Sequence, residues 1–86
     1  MLTGEQIQAA RALVRMLQSE LASASGVALV TIKRLEATRG TIGAQLRTVL
    51  AIKAALEAAG VIFIDANGEG PGVRLRASPP PSQGAV

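Results

Sequence analysis

The chain of 86 residues contains no cysteine, no histidine, no tryptophan and no tyrosine, and its only aromatic residue is Phe63. Without cysteine there are no disulfides or thiolate ligands, and without histidine the usual zinc sites and the usual general base near neutral pH are excluded. The serines have no histidine to activate them, and no pair of carboxylates has an acid–base setting. We therefore expect no enzymatic activity, no metal or cofactor, and no small-molecule substrate.

Long apolar runs and phosphate-binding loops are also missing from the sequence. The most apolar stretch, residues 49–64, is interrupted by Lys53, Glu57 and Gly60 and is too short to span a bilayer. Residues 1–16 lack the basic start and apolar run of a secretory signal. The glycine-rich segment 68–72 lacks the Lys-Ser/Thr pair and the following helix of a phosphate loop, so it predicts a turn. We expect a cytoplasmic protein without membrane contact.

Positive charge is modest in total but concentrated in one segment. Nine Lys and Arg residues face six Asp and Glu residues, a net charge of +3. Between Lys33 and Lys53 lie five cations and one anion, Glu36, so this segment alone carries +4. The cations are Lys33, Arg34, Arg39, Arg47 and Lys53. Such a cluster is typical of a nucleic-acid partner, and a plain solvated charged face is the alternative.

The residue pattern predicts a mainly α-helical fold. Thr3 and Gln6 have the spacing of a capping box, and apolar residues recur behind them at helical spacing. The predicted helices cover residues 3–16, 18–24, 28–37 and 44–59, and the predicted strands cover residues 61–64 and 73–76. We expect a compact domain of four or five helices (residues 1–60), a β-hairpin (residues 61–76) and a Pro-rich flexible tail (residues 77–86).

The stretch from Gln18 to Glu36 carries a family resemblance. Its pattern Gln18-x-Glu-Leu-Ala, then Gly26-Val, then Thr31-Ile-x-Arg-Leu-Glu36 resembles the Cro/cI-type (XRE-family) helix-turn-helix domain over about residues 4–59. The strand after Gly60 and its Gly-rich turn are similar to an extension of some bacterial members. The resemblance implies a Cro/cI-like fold and a cytoplasmic regulator, of bacterial or phage-like origin, that binds double-stranded DNA through residues 28–37.

The resemblance also implies roles for individual residues. Gln18 matches a position that meets a DNA phosphate, and the start of the third helix matches positions presented to base edges. Lys33 and Arg34 match positions that reach bases or backbone. The implied DNA contacts are Gln18, Ala28, Leu29, Val30, Thr31, Lys33, Arg34, Arg39 and Thr41. Arg11 and Glu36 match an ion pair that ties the first helix to the end of the third, a structural role.

Several positions depart from the family pattern. Leu17 and Ala28 stand where Ser or Thr usually caps a helix, and Ile42 stands where Pro is frequent. Aliphatic Leu29 and Val30 stand where polar side chains often read bases. The alternative function is protein binding, by an antitoxin-like or adaptor module with reduced or no DNA binding. Its binding surface would be formed by Leu17, Leu29, Val30, Ile42 and Ile62.

A recognition helix of this length covers only a few base pairs, so we expect a homodimer on an inverted-repeat operator. Such a protein is most simply a repressor that occludes a promoter. The hairpin is the expected dimer element, because an exposed edge strand invites pairing. Its candidate residues are Val61, Ile62, Phe63, Ile64, Val73 and Leu75. The alternative is a hairpin packed on its own helices.

Overall fold

Four helices followed by a β-hairpin make up the fold, which a computed structural model describes for residues 2–77. The elements are α1 (Gly4–Val14), α2 (Gln18–Ser25), α3 (Leu29–Glu36), α4 (Leu46–Ala58), β1 (Val61–Ile64) and β2 (Gly72–Leu75). The prediction of a mainly α-helical fold with a C-terminal hairpin is confirmed. None of the helices within residues 2–77 is long and apolar enough to cross a membrane. The predicted Pro-rich tail lies outside the described residues from residue 78 onward.

The predicted capping box opens α1. The Gln6 backbone N–H donates to Thr3 Oγ1 at 3.0 Å, and the Thr3 N–H donates to Gln6 Oε1 at 2.9 Å. The helix ends at Val14, so the predicted end at residue 16 was wrong. The reason is Arg15, whose φ of 55° puts it in the left-handed region, and the Met16 N–H then closes the helix end on Arg11 O at 2.9 Å.

The hydrophobic core takes residues from every helix and from β1. Its members are Leu2, Ile7, Ala10, Leu21, Ile32, Leu35, Ile42, Val49, Ile52, Leu56 and Val61. Ile32 and Leu35, three positions apart on α3, both point inward. Ile42 was assigned to an exposed apolar surface, and that assignment was wrong. Its N–H donates to Leu2 O at 3.0 Å, and this short antiparallel contact turns the Ile42 side chain into the core.

The hairpin packs on the helices of its own chain. Val61 lies opposite Leu75 and Phe63 lies opposite Val73, and Val61, Phe63 and Val73 pack against the core. The Gln6 side-chain amide donates to Gly72 O at 3.0 Å and to Ile64 O at 3.3 Å, which ties the hairpin to α1. Val61 is fully buried in the monomer, so its assignment to a dimer interface was wrong.

Gly4 lies where the start of α1 meets the end of α3. A Cβ placed on Gly4 would lie 2.6 Å from Leu35 O and closer still to Thr38 O. Both atoms belong to the backbone, so neither can move aside as a flexible side chain would. The Gly4 N–H donates to Gly40 O at 3.1 Å, which holds the two segments together at this point. The close approach of α1 and α3 therefore requires glycine at this position.

Gly4→Ala is expected to lower the free energy of unfolding by about 1–3 kcal/mol, because the added methyl group forces α1 away from α3. Urea denaturation followed by circular dichroism measures the change. Gly43→Ala is the matched control, since a Cβ there meets nothing within 4 Å and the residue is free of positive φ. Equal stability of the two variants would contradict the close contact at Gly4.

Candidate nucleic-acid interface

A tight turn joins α2 to α3. Gly26 ends α2 with a φ of 75°, and its N–H donates to Ala22 O at 2.9 Å. A Cβ on Gly26 would meet nothing within 4 Å, so the positive φ alone favours glycine here. The Val27 N–H then donates to Ser25 Oγ at 3.2 Å, and α3 begins at Leu29. The two short helices therefore meet with little freedom between them.

The outer face of α3 is basic and aliphatic. Ile32 and Leu35 are buried, and on the opposite side Val30 is 73% exposed and Lys33 and Arg34 are exposed. Of the other residues implied to contact DNA, Ala28 is exposed, whereas Leu29 and Thr31 are half-buried. The only carboxylate on this helix is Glu36. The spacing of Val30, Lys33 and Arg34 brings these three residues to one accessible face of α3, and exposed Ala28 precedes the helix.

Glu36 belongs to a network that links three helices. Arg11 donates through Nε to Glu36 Oε2 and through Nη2 to Glu36 Oε1 at 2.8 Å, and its Nη1 donates to Met16 O at 2.8 Å. The exposed fractions of the two side chains are 17% for Arg11 and 5% for Glu36. The hydrogen bond to Glu36 raises the pKa of Arg11 above its ordinary value. The ion pair implied by the resemblance is thus present, and it leaves Glu36 no free charge to offset Lys33 and Arg34.

Gln18 joins the same network. Its side-chain Nε2 donates to Glu36 Oε1 at 3.1 Å, so the first residue of α2 is held against the last residue of α3. The sequence reasoning placed Gln18 at a DNA phosphate and missed this contact. The side chain is half-buried, so its position is set by Glu36 before any ligand arrives.

Three of the four helices begin without a side-chain cap. The residues preceding α2, α3 and α4 are Leu17, Ala28 and Gln45, and none of their side chains accepts a hydrogen bond from the helix that follows. The first turns of α3 and α4 carry no acidic residue, and the helix dipole favours negative charge there, whereas at the start of α2 the Leu17 N–H donates to Glu20 Oε1 at 2.7 Å. In α1, by contrast, Thr3 satisfies one of the first-turn amides.

A cleft separates the outer face of α3 from the start of α4. Its lining is Thr31, Arg34, Gly43, Ala44, Gln45 and Thr48. Arg47 is exposed beside it, and its Nε donates to Gln45 Oε1 at 3.3 Å. Gln45, Arg47 and Thr48 are functional candidates that the sequence reasoning did not assign, because the pattern of α4 shows only its core positions. A helix start without a capping residue, next to the cation Arg47, is the sequence feature from which these residues could have been predicted.

The loop after α3 is fixed to the start of α1. Arg39 and Thr41 are both exposed there, as expected for contacts with phosphates. Thr41 forms an isolated β-bridge with Thr3, and the Gly40 N–H donates to Glu5 Oε1 at 3.0 Å. This backbone hydrogen bond lowers the pKa of Glu5, and the nearby Arg39 acts in the same direction. The charge of Arg39 is therefore partly offset by Glu5.

The apolar surface weighed as a protein-binding site is smaller than the sequence indicated. Leu17 and Val30 are strongly exposed, but Leu29 is half-buried and Ile42 belongs to the core. Ile62 is half-buried on the hairpin. What is left of the proposed apolar set near α3 is Leu17 and Val30.

Comparison with known proteins assigns no family. No family model matches the chain, and a search of curated proteins gives no significant match. Function is therefore inferred from the geometry and charge of the residues described above.

Proposed function

We propose that this chain is a sequence-specific DNA-binding regulator with a Cro/cI-type helix-turn-helix, and that α3 lies in the major groove. The observation that carries the proposal is the outer face of α3. It presents Lys33 and Arg34 without a free carboxylate, and the Arg11–Glu36 pair fixes the helix that carries them. A basic helix that is held in a fixed position is suited to bind a rigid, anionic partner.

The dimensions of α3 suit the groove. Its 8 residues give a length of about 12 Å, close to the width of about 12 Å of the major groove of B-DNA. Arg34 and Lys33 can donate to guanine O6 and N7 or to phosphates, and Val30 can contact a thymine methyl group. Thr31 lines the cleft beside Arg34 and is the remaining polar reader on this face.

Phosphate contacts would flank the reading helix. α2 packs against both α3 and α4, so the start of α4, which has no side-chain cap and no acidic residue, belongs to the same helical unit as α3. Helix N-termini bind phosphate through backbone N–H groups and the helix dipole. In this proposal Gln45, Arg47 and Thr48 hold one strand of the duplex beside α4, and Gln18 holds a phosphate beside α2.

Arg34→Ala is expected to weaken binding to a selected duplex by about 1–3 kcal/mol, which is about 5- to 150-fold, because a base or phosphate contact is lost. Fluorescence anisotropy at fixed salt measures the change. Arg74→Ala is the matched control, since Arg74 is also an exposed arginine but lies on β2, outside the cleft. Equal losses in both variants would contradict recognition through α3.

A protein-interaction module on the same scaffold is the second candidate. The observation that favours it is the strong exposure of Val30 and Leu17, two aliphatic side chains near the recognition face. Apolar protein contact depends little on salt, whereas binding through several phosphates weakens steeply as salt rises. The salt dependence of binding therefore separates the two functions.

A further inference from the structure

Helix α4 carries two exposed leucines beside its buried face. Val49, Ile52 and Leu56 are buried in the core. At the edge of this buried face, Leu46 is 67% exposed and Leu50 is 52% exposed, and both are large side chains one helical turn apart. Arg47 and Glu57 are also exposed on this helix, so the two leucines form a local apolar patch among polar side chains.

The exposed leucines continue into a groove between α4 and β1. The groove has a volume of about 120 Å³, and Leu2, Leu46, Val49, Leu50 and Phe63 form its apolar walls together with Lys53 and Asp65. Within residues 2–77 the only ion pair joins Arg11 to Glu36, so Lys53 and Asp65 do not form a salt bridge with each other. The groove therefore has an apolar lining with one cation and one anion that lack an ionic partner.

We propose that a second copy of this chain covers the groove across a two-fold axis, with Leu50 near the axis. In a two-fold interface the same patch meets itself, and the proposed arrangement sets Lys53 of each copy opposite Asp65 of the other. A patch that carries an apolar stripe and both signs of charge is complementary to its own inverted copy. A partner of a single charge would satisfy one of these two groups and repel the other, which is why a second copy is the favoured occupant.

The position of the groove leaves the proposed DNA surface free. Leu46 begins α4, next to Gln45, which lines the cleft beside α3. The dimer contact would therefore adjoin the DNA surface without covering Arg34 or Thr31. Such a dimer could present its two α3 helices to two operator half-sites. That role rests on the proposed function, whereas the dimer itself does not.

In this proposal the groove between α4 and β1, with Leu46 and Leu50, replaces the exposed edge of the hairpin as the dimer surface. Val61 is in the core, Phe63 and Val73 pack against it, and Gln6 holds the hairpin on α1. Leu75 is 51% exposed on β2, almost the same as Leu50 on α4. These two leucines form a matched pair that separates the two surfaces by experiment.

Leu50→Glu and Leu75→Glu are to be compared by sedimentation equilibrium of the full chain across a dilution series without DNA. We expect a dimeric wild type, a Leu50→Glu variant whose dimer is weakened at least about tenfold, and an unaffected Leu75→Glu variant. Circular dichroism checks that each variant is folded. A monomeric wild type, or a dimer sensitive to Leu75→Glu and insensitive to Leu50→Glu, overturns the proposal.

Charge reversal tests the pairing without touching the apolar lining. Lys53→Asp and Asp65→Lys are each expected to weaken the dimer, because each places like charges together across the axis. The double variant restores opposite charges and is expected to recover the dimer. Failure of the double variant to recover while it remains folded overturns the arrangement.

DNA binding measured in parallel keeps this proposal distinct from the proposed function. A wild-type monomer that still binds a selected duplex overturns the dimer surface and leaves DNA binding standing. A wild-type dimer that is sensitive to Leu50→Glu and binds no duplex supports the surface and contradicts the regulator.

Discussion

Arg11→Met is expected to lower the free energy of unfolding by about 3–5 kcal/mol. The substitution keeps an apolar stem but removes both donors to Glu36, whose side chain is only 5% exposed. The carboxylate then keeps just the Gln18 amide as a partner, and a buried charge without a counter-charge is costly. Total stability of a small domain is about 5–15 kcal/mol, so the loss is large on that scale. Urea denaturation followed by circular dichroism measures it.

The double variant Arg11→Met/Glu36→Met provides the control. It removes both charges together, so most of the stability lost in Arg11→Met is expected to return. Its affinity for DNA is nevertheless expected to fall, because the contact that fixes α3 relative to α1 is gone. A loss below about 1 kcal/mol in the single variant is what an exposed surface pair would give, and it would contradict a structural role for this network.

DNA affinity is expected to fall by about 10³–10⁵ when salt is raised from about 50 to about 200 mM, a range typical of about 6–10 neutralised phosphates. Each chain offers four exposed cations near the interface, namely Lys33, Arg34, Arg39 and Arg47. Two copies on an inverted repeat would therefore neutralise about six to eight phosphates, since Glu5 already offsets part of the charge of Arg39. Fluorescence anisotropy with a selected duplex, repeated at several salt concentrations, measures the slope of log affinity against log salt.

Single-cation variants provide the control for the salt titration. Arg47→Ala is expected to reduce the slope by about one unit for each copy bound, because it removes one phosphate contact. Arg74→Ala on the hairpin is expected to leave the slope unchanged. An affinity that changes less than about tenfold over this range would point to apolar contact through Val30 and Leu17, and thus to the protein-interaction module.

The helices were predictable because their signals are local. The Thr3–Gln6 box and the spacing of Ile32 and Leu35 depend on residues three apart, so the sequence alone indicates them. The end of α1 was mispredicted because a non-glycine residue, Arg15, adopts the left-handed conformation, at a cost of about 1–2 kcal/mol, where glycine is the usual residue.

The contacts between distant segments were not predictable. Ile42 enters the core because its backbone pairs with Leu2, 40 positions earlier, and Gln6 holds the hairpin from 66 positions away. The need for glycine at position 4 arises only from the carbonyl groups at the end of α3. No periodicity in the sequence encodes such a pairing.

The candidate site was predicted only in part, because some of its features lie within one helix and others depend on contacts between helices. The outer face of α3 follows from helical spacing, so Lys33 and Arg34 were placed correctly on an exposed face. The contact of Gln18 with Glu36 joins α2 to α3, and the cleft beside α4 joins residues that the sequence separates. Both depend on how the helices pack, which single-helix patterns do not show.

The most direct measurement is the selection of bound fragments from random-sequence double-stranded DNA by the full chain at a fixed salt concentration. The proposed function predicts enrichment of an inverted repeat with half-sites about 34–36 Å apart, centre to centre. Arg34→Ala carried through the same selection is expected to lose the enrichment or to relax it at one position of each half-site. No enrichment of any sequence by the folded wild-type chain would contradict the proposal that this protein is a sequence-specific DNA-binding regulator.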